Sequence, residues 1–133
     1  MTFNLPKATP ETAHFWNEAK KGRLTLPYCL DTGQYFFYPR SFSPFTGSRN
    51  VEWRQTSGKA TLHSYVINHR PLPGRDVISP VIALVKLAEG PVLMSNIVDI
   101  EPDPAQLNLD MPLNVKFVQI EGVTVPVFAP EGA

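Results

Sequence analysis

The feature that most constrains the fold is a series of short apolar runs between Val51 and Phe128. Each run is rich in Val, Ile, Leu, Phe and Tyr, and Gly, Pro, Asn or Asp separates it from the next. Short β-favouring runs that are cut by turn residues at close spacing are typical of a small all-β barrel. The sequence therefore predicts one antiparallel barrel of five strands within residues 51–133.

Two of these runs form the predicted centre of the barrel. Residues 81–87 and 92–98 flank a short turn that contains Gly90. The first run is apolar at every position except Lys86, which predicts a central strand with little solvent on either face. The run 51–55 alternates and is predicted to begin the barrel. Pro126 places the last run, 123–128, at a sheet edge because proline cannot donate a ladder hydrogen bond.

The long run 60–68 carries histidines but no recognisable catalytic pair. Strand alternation predicts that His63, Tyr65, Ile67 and His69 share one face. Two histidines six residues apart stand roughly 20 Å apart in a straight strand, so they cannot bind one metal ion together. We interpret each as a structural hydrogen-bonding residue.

The segment 1–22 is predicted to be an extension followed by a helix. Thr9 is a candidate cap, Pro10 suits the first helical position, and Gly22 is a left-handed stop. Phe15 and Trp16 lie on its apolar face. A helix of about three turns does not stand alone in water, so these rings either dock it on the barrel or form a partner surface.

Residues 23–50 have the outline of a small metal ribbon without its ligands. Two four-residue knuckles flank an aromatic segment, and their corners are Cys29, Thr32, Ser43 and Thr46. Structural zinc requires four converging ligands, usually cysteine or histidine, and only Cys29 qualifies. The sequence predicts a metal-free ribbon that is held by turn hydrogen bonds and aromatic packing.

The aromatic segment between the knuckles is predicted to be a strand over residues 35–38. Alternation would place Tyr35 and Phe37 on one face and Phe36 and Tyr38 on the other. One interpretation is that these rings form the ribbon's core and cover the barrel. The other is that an exposed face stacks on a nucleobase or anchors a partner protein.

Charge is unevenly distributed although the formal net charge is zero. Residues 1–86 contain eleven Lys or Arg and five Asp or Glu, whereas residues 87–133 contain one and seven. Folding can disperse this asymmetry, or it can create a basic face that attracts phosphate or an acidic partner. A single cysteine, no long apolar run and no apolar leader predict a cytoplasmic protein.

Catalytic signatures are missing from the sequence. There is no phosphate-cradling glycine loop and no nucleophile elbow, and no histidine is placed beside Cys29 by sequence. Catalysis by this chain alone is therefore disfavoured. Arg70 and Arg75, in the long Pro-rich loop 69–80, are candidates for gripping phosphate.

The ordered set of motifs resembles a bacterial and archaeal family, long described as a domain of unknown function, that joins an N-terminal helix, a rubredoxin-like zinc ribbon and a C-terminal OB-fold. The domains would be residues 1–22, 23–50 and 51–133. The resemblance covers nearly the whole chain; it rests on Phe15–Ala19, Gly22–Leu24, Tyr28–Cys29, Tyr38–Arg40, Ser43–Pro44, Gly47–Ser48, Glu52–Trp53, Ser57–Gly58, Ser64–Val66, His69–Pro71, Ala83–Val85, Glu89–Gly90, Ser95–Ile97, Met111–Leu113 and Pro126–Phe128.

The chain departs from the family's pattern at two points. Metal-binding members have cysteines at all four knuckle corners, so zinc is not expected here. The family usually has Gly before the Met-Pro step, where this chain has Asp110, a residue that tolerates a left-handed backbone less readily than Gly.

The resemblance implies an accessory subunit that binds a thiolase-like or acyl-CoA hydratase enzyme and helps to hold the acyl-CoA. On that basis Arg40, Arg70 and Arg75 are the candidate CoA-binding residues, and Trp16, Tyr35 and Phe37 the candidates for stacking or partner packing. The alternative function is an OB-fold that binds single-stranded nucleic acid. A homodimer, the partner's identity and the acyl group are left open by the sequence.

Overall fold

The computed structural model describes residues 5–70, 73 and 77–132, which form one short helix and two antiparallel sheets. The smaller sheet has the strand order β2-β1-β3 and the larger has β6-β5-β4-β7-β8. The elements are α1 (Ala13–Ala19), β1 (Thr25–Cys29), β2 (Gln34–Tyr35), β3 (Val51–Gln55), β4 (Lys59–Ile67), β5 (Val81–Leu87), β6 (Val92–Asn96), β7 (Pro112–Ile120) and β8 (Val123–Pro130).

The five-stranded sheet curls into a nearly closed barrel, which confirms the predicted OB-fold. A parallel bridge joins Ile97 to Phe128, and the Val98 N–H donates to the Phe128 carbonyl at 2.8 Å. Leu62, Val85 and Phe128 lie at the centre of the core with no exposed surface. Strand β8 lies at the end of the strand order, so the edge position that Pro126 indicates is also confirmed.

Strand β3 belongs to the ribbon rather than to the barrel, so the prediction that residues 51–55 begin the barrel is wrong. Its five residues pair with β1, from Val51 opposite Cys29 to Gln55 opposite Thr25. An alternating run specifies a strand but not its neighbour, and here the nearest free edge is that of β1. The domain boundaries given above stay a prediction.

A β-bulge in β4 places His63 on a different side of the strand from the one that the sequence predicts. The register with β5 shifts between Leu62 and Ser64, which leaves His63 as the extra, exposed residue. Tyr65 and Ile67 therefore pack against the core on the same side as Leu62, and His63 does not share their face. The shared face predicted for His63, Tyr65, Ile67 and His69 is wrong.

Strand β5 is buried on one face only. Val81, Ala83, Val85 and Leu87 point into the core, whereas the alternating residues are half-buried or exposed. The prediction of little solvent on either face is therefore wrong for the outer face.

Helix α1 is shorter than the sequence predicts, because Thr9 to Thr12 form a separate turn. The Thr9 N–H donates to the Thr12 hydroxyl at 2.9 Å, and Thr12 rather than Thr9 occupies the cap position. Gly22 adopts a φ of 78°, which confirms it as the left-handed stop. The helix contacts β1 and β8 through buried Phe15 and Ala19. Within the described ranges, no helix has the length and hydropathy that crossing a bilayer requires.

Substitution of Gly58 is expected to destabilise the joint between the ribbon and the barrel. Gly58 has a φ of 79°, and a Cβ there would lie 2.7 Å from Cγ1 of Val115. We expect Gly58→Ala to lower the free energy of unfolding by about 1–3 kcal/mol, measured by urea denaturation. Gly22→Ala is the control, because Gly22 has a similar φ but no atom within 4 Å of the added Cβ. Equal losses in both variants would contradict a steric origin.

Candidate functional site

Three of the four knuckle corners, Cys29, Thr32 and Ser43, lie near one another, whereas the hydroxyl of the fourth, Thr46, donates to Asp31. Hydrogen bonds from the hydroxyls of Ser43 and Thr32, with weaker ones from the N–H groups of Thr32 and Asp31, lower the pKa of the Cys29 thiol. Ser43 and Cys29 are both fully buried. Ser43 also accepts the N–H groups of Phe45 at 3.0 Å and Thr46 at 3.3 Å through its hydroxyl.

This donor set does not fit zinc. It offers one thiol and three neutral hydroxyls, whereas a structural zinc site uses four thiolate, imidazole or carboxylate ligands. In the described part of the chain, no group of three or more His, Cys, Asp or Glu side chains is placed to hold a metal ion. The chemistry of the site is therefore that of a hydrogen-bonded turn pair.

Asp31 connects the first knuckle to the second. Its Oδ2 accepts the hydroxyls of Ser48 and of Thr46 (3.2 Å), and its Oδ1 accepts the Asn50 side-chain amide at 2.9 Å. Hydrogen bonds from Ser48, then Asn50, hold the pKa of the Asp31 carboxyl below its ordinary value of 3.8. These four residues, Asp31, Thr46, Ser48 and Asn50, are called the Asp31 clasp below.

The aromatic segment after the first knuckle is not a four-residue strand. Strand β2 ends at Tyr35, so the predicted alternation over residues 35–38 is wrong. Its residues pair with Tyr28 and Cys29 of β1, and one further bond runs from the Phe36 N–H to the Pro27 carbonyl at 3.0 Å.

The predicted stacking residues are half-buried and packed against the core. The Tyr35 ring lies 4.9 Å from that of Tyr28, and Phe37 lies 5.6 Å from Phe15. Trp16 lies edge-on to Phe15 at 5.0 Å. This packing brings Trp16 and Phe37 together around Phe15 and places Tyr35 on the far strand of the ribbon. Their role in stacking or partner binding stays a prediction.

Other ribbon aromatics are the exposed ones, and the sequence reasoning did not select them. Tyr38 is 68% exposed and Phe42 and Phe45 are nearly half exposed. The signal that could have found them is their position beside Pro39 and Pro44, because prolines interrupt sheet pairing and leave the neighbouring side chains outside it. Phe45 also lines a cleft of about 570 Å³ between the ribbon and the β5–β6 turn, with Tyr35, Phe37 and Glu89.

Two of the predicted CoA-binding arginines lie among the described residues. Arg40 is exposed on the ribbon, and Arg70 is exposed just after β4 in the barrel. Arg75 lies outside the described residues. Among the described residues, neither Arg40 nor Arg70 has a carboxylate within 4.0 Å, so both guanidinium groups are available to an anion.

The outer face of β4, β5 and β6 is an apolar surface that carries exposed side chains among the described residues. Val66 pairs with Ile82, and Leu84 pairs with Met94, so the four side chains are adjacent. Val66 is 59% and Met94 67% exposed, whereas Ile82 and Leu84 are half-buried. Exposed large apolar side chains that cluster are uncommon on isolated proteins and mark interaction sites. These four residues are called the β4–β6 face.

Two family models match consecutive parts of the chain. Residues 16–52 match the ChsH2 rubredoxin-like zinc ribbon domain, and residues 53–118 match the ChsH2 C-terminal OB-fold domain. The resemblance and the mainly β fold drawn from the sequence are thereby confirmed.

Relatives of known name share this architecture. A "DUF35 domain-containing scaffold protein" of Pyrococcus furiosus is 31% identical over 102 residues, 76% of this chain and 75% of its own length. A "probable enoyl-CoA hydratase alpha subunit" of Thermomonospora curvata is 29% identical over 126 residues, 94% of this chain. The chain spans only 39% of that relative's length.

A solved structure is similar along nearly its full length. The structure named "Ltp2-ChsH2(DUF35) aldolase" superposes with a TM-score of 0.83 at 28% identity, covering 95% of this chain and 98% of the other. The two chains therefore share the same backbone fold along nearly their full lengths.

Proposed function

Because the chain belongs to the DUF35 family, in which a zinc-ribbon domain precedes an OB-fold domain, we propose that it is an accessory subunit of an acyl-CoA enzyme. The partner would be of the thiolase-like or acyl-CoA hydratase class. The relatives named as a scaffold protein, as a hydratase alpha subunit and as part of an aldolase complex support this class of role.

The observation that carries the proposal is the β4–β6 face. Its four adjacent apolar side chains include Val66 and Met94, both more than half exposed. The core of a stable protein interface is depleted in charge and rich in such side chains, and methionine adapts to the shape of its partner. We infer that this face packs on the enzyme.

An accessory rather than catalytic role is supported by the ionisable groups of the described residues. Hydrogen bonds lower the pKa of Cys29 and Asp31 and raise that of Arg54. All three lie in the ribbon, and each shift has a hydrogen bond within the ribbon as its largest cause. Shifted groups gathered in a cleft would indicate catalysis, and these instead hold turns and strands together.

Help in holding the acyl-CoA is the finer part of the proposal. Arg40 and Arg70 are exposed cations without an acidic neighbour among the described residues. Their guanidinium groups can therefore donate charge-assisted hydrogen bonds to a phosphate. Arg40 lies on the ribbon and Arg70 just after β4, so a CoA held by both would contact both parts of the chain. Arg75 is retained as the third candidate from the sequence.

The alternative, single-stranded nucleic-acid binding, has less support. OB-folds bind nucleic acid on their second and third strands, here β5 and β6, with aromatic rings and basic side chains. The outer face of β5 and β6 carries Ile82, Leu84 and Met94, no aromatic ring, and Lys86 as its one cation. Such a face suits an apolar protein surface better than a sugar-phosphate chain.

The test is co-expression with a thiolase-like or hydratase-like enzyme from the same organism. We expect the two proteins to co-purify in near-equal amounts and to elute together in size-exclusion chromatography. A matched purification with an unrelated thiolase controls for non-specific adhesion. Elution of the two proteins as separate species, or retention of nucleic acid alone at low salt, would overturn the proposal.

A further inference from the structure

We propose that the Asp31 clasp holds the two knuckles together in place of a metal ion, so that this ribbon folds and stays closed without zinc. The inference concerns the ribbon alone and does not depend on the partner enzyme. It starts from the mismatch between a zinc-ribbon backbone and a donor set of one thiol and three hydroxyls.

A zinc ribbon needs its metal because the two knuckles are short turns that cannot bury enough apolar surface to stay together. The same mechanical problem exists here. Little regular structure joins the two knuckles. Among the described residues between them, only Gln34 and Tyr35 belong to a strand. Some contact between the knuckles must therefore supply the cross-link that four thiolates supply elsewhere.

The contacts are present in two layers. In the buried layer, Ser43 of the second knuckle and Cys29 of the first are both fully buried, and the Ser43 hydroxyl lowers the pKa of the Cys29 thiol. In the outer layer, the Asp31 carboxylate accepts three donors, all of which come from the second knuckle or the residues just after it. The backbone adds a bond from the Leu30 N–H to the Asn50 carbonyl at 3.0 Å.

The carboxylate is the component that makes the outer layer strong. Hydrogen bonds to an ionised acceptor are shorter and roughly twice as strong as neutral ones. One carboxylate also has lone-pair sites for several donors, so it gathers side chains from a loop as a metal ion gathers ligands. Asp31 receives donors 15, 17 and 19 residues away in sequence, which closes the loop that contains the second knuckle.

The first test compares metal content and metal dependence of the intact chain. We expect no stoichiometric zinc in the purified protein by elemental analysis, and the same melting temperature with and without EDTA. One zinc per chain, or a lower melting temperature in EDTA, would overturn the proposal.

The second test removes the clasp. Asp31→Ala leaves three donors without their acceptor, so we expect backbone amides of residues 43–50 to exchange hydrogen about tenfold faster or more, while β5 and β7 amides keep their rates. Glu101→Ala is the control, since Glu101 is an exposed acid in the connection before β7. Unchanged exchange in the knuckles of Asp31→Ala would overturn the proposal.

Two further variants keep the test decisive if Asp31→Ala does not fold. Asp31→Asn preserves shape and one acceptor oxygen, so it should loosen the knuckles less than alanine. The triple variant T32C/S43C/T46C has four cysteines at the corners and should bind zinc. When cobalt replaces the zinc, the protein should show thiolate-to-cobalt charge-transfer absorption. In that zinc-loaded background Asp31→Ala should no longer speed exchange. If Asp31→Ala still speeds hydrogen exchange in the zinc-loaded variant, the clasp does not do the work of the metal, and the proposal is overturned.

Discussion

Truncation of Phe128 to alanine is expected to remove most of the stability of the barrel. Phe128 is fully buried, and its backbone joins β8 to the end of β6 through the bridge to Ile97 and the bond from Val98. Removing a buried phenyl ring costs the transfer free energy of its carbons. It also leaves a cavity, because the strands of a closed barrel cannot move inward far enough to fill it. We expect a loss of about 3–5 kcal/mol in the free energy of unfolding, measured by urea denaturation at 25 °C.

Phe42→Ala is the matched control for this variant. It deletes the same atoms from a ring that is 44% exposed on the ribbon, so its effect should stay within about 0.5 kcal/mol. A loss of about 3–5 kcal/mol approaches the whole stability of a small domain. The amide resonances of the barrel strands in the NMR spectrum of the Phe128 variant should therefore also broaden. A Phe128 variant as stable as the Phe42 variant would mean that the barrel does not close through this residue.

Placing a charge on the β4–β6 face is expected to abolish assembly with the partner enzyme while leaving the fold intact. Met94→Glu inserts a carboxylate into the proposed interface, where it would lose water without gaining a partner. Because Met94 is two-thirds exposed in the free chain, the same change costs the isolated protein little. We expect the dissociation constant to rise about a hundredfold or more, measured by titration calorimetry with the enzyme.

Leu109→Glu serves as the control for surface charge. Leu109 is 62% exposed, much like Met94, but it lies in the connection before β7 rather than on the β4–β6 face. It should change neither the melting temperature nor the affinity. If Leu109→Glu weakened the complex as much as Met94→Glu, or if neither did, the enzyme would dock elsewhere on the chain.

The β4–β6 face also shows why composition alone could not identify the interaction surface. Ile82 and Leu84 alternate with buried core residues in a run that is apolar except at Lys86. Such a run is consistent with burial on both faces, and only the presence or absence of a covering element decides between core and surface. Helix α1 contacts β1 and β8, so among the described residues it does not cover the outer side of β5.

The sequence by itself determined the features that depend on local chemistry. Turn residues marked the ends of the barrel strands, Gly22 stopped the helix, and Asp110 took the left-handed backbone expected of it, with a φ of 66°. The identity of the knuckle corners already excluded a four-ligand zinc site. Each of these follows from the preferences of one residue and its immediate neighbours.

Only the tertiary structure decided the features that depend on which distant segments meet. An alternating run such as Val51–Gln55 pairs equally well with several edges, so its place beside β1 could not be derived from its own residues. The bulge at His63 leaves no local signature, yet it reverses which side chains face the core. The Asp31 clasp joins residues 15 to 19 positions apart, and a carboxylate in sequence does not reveal whether it faces water or three donors. The clasp and the exposed apolar face therefore depend on long-range hydrogen bonds and packing, and local propensity does not determine them.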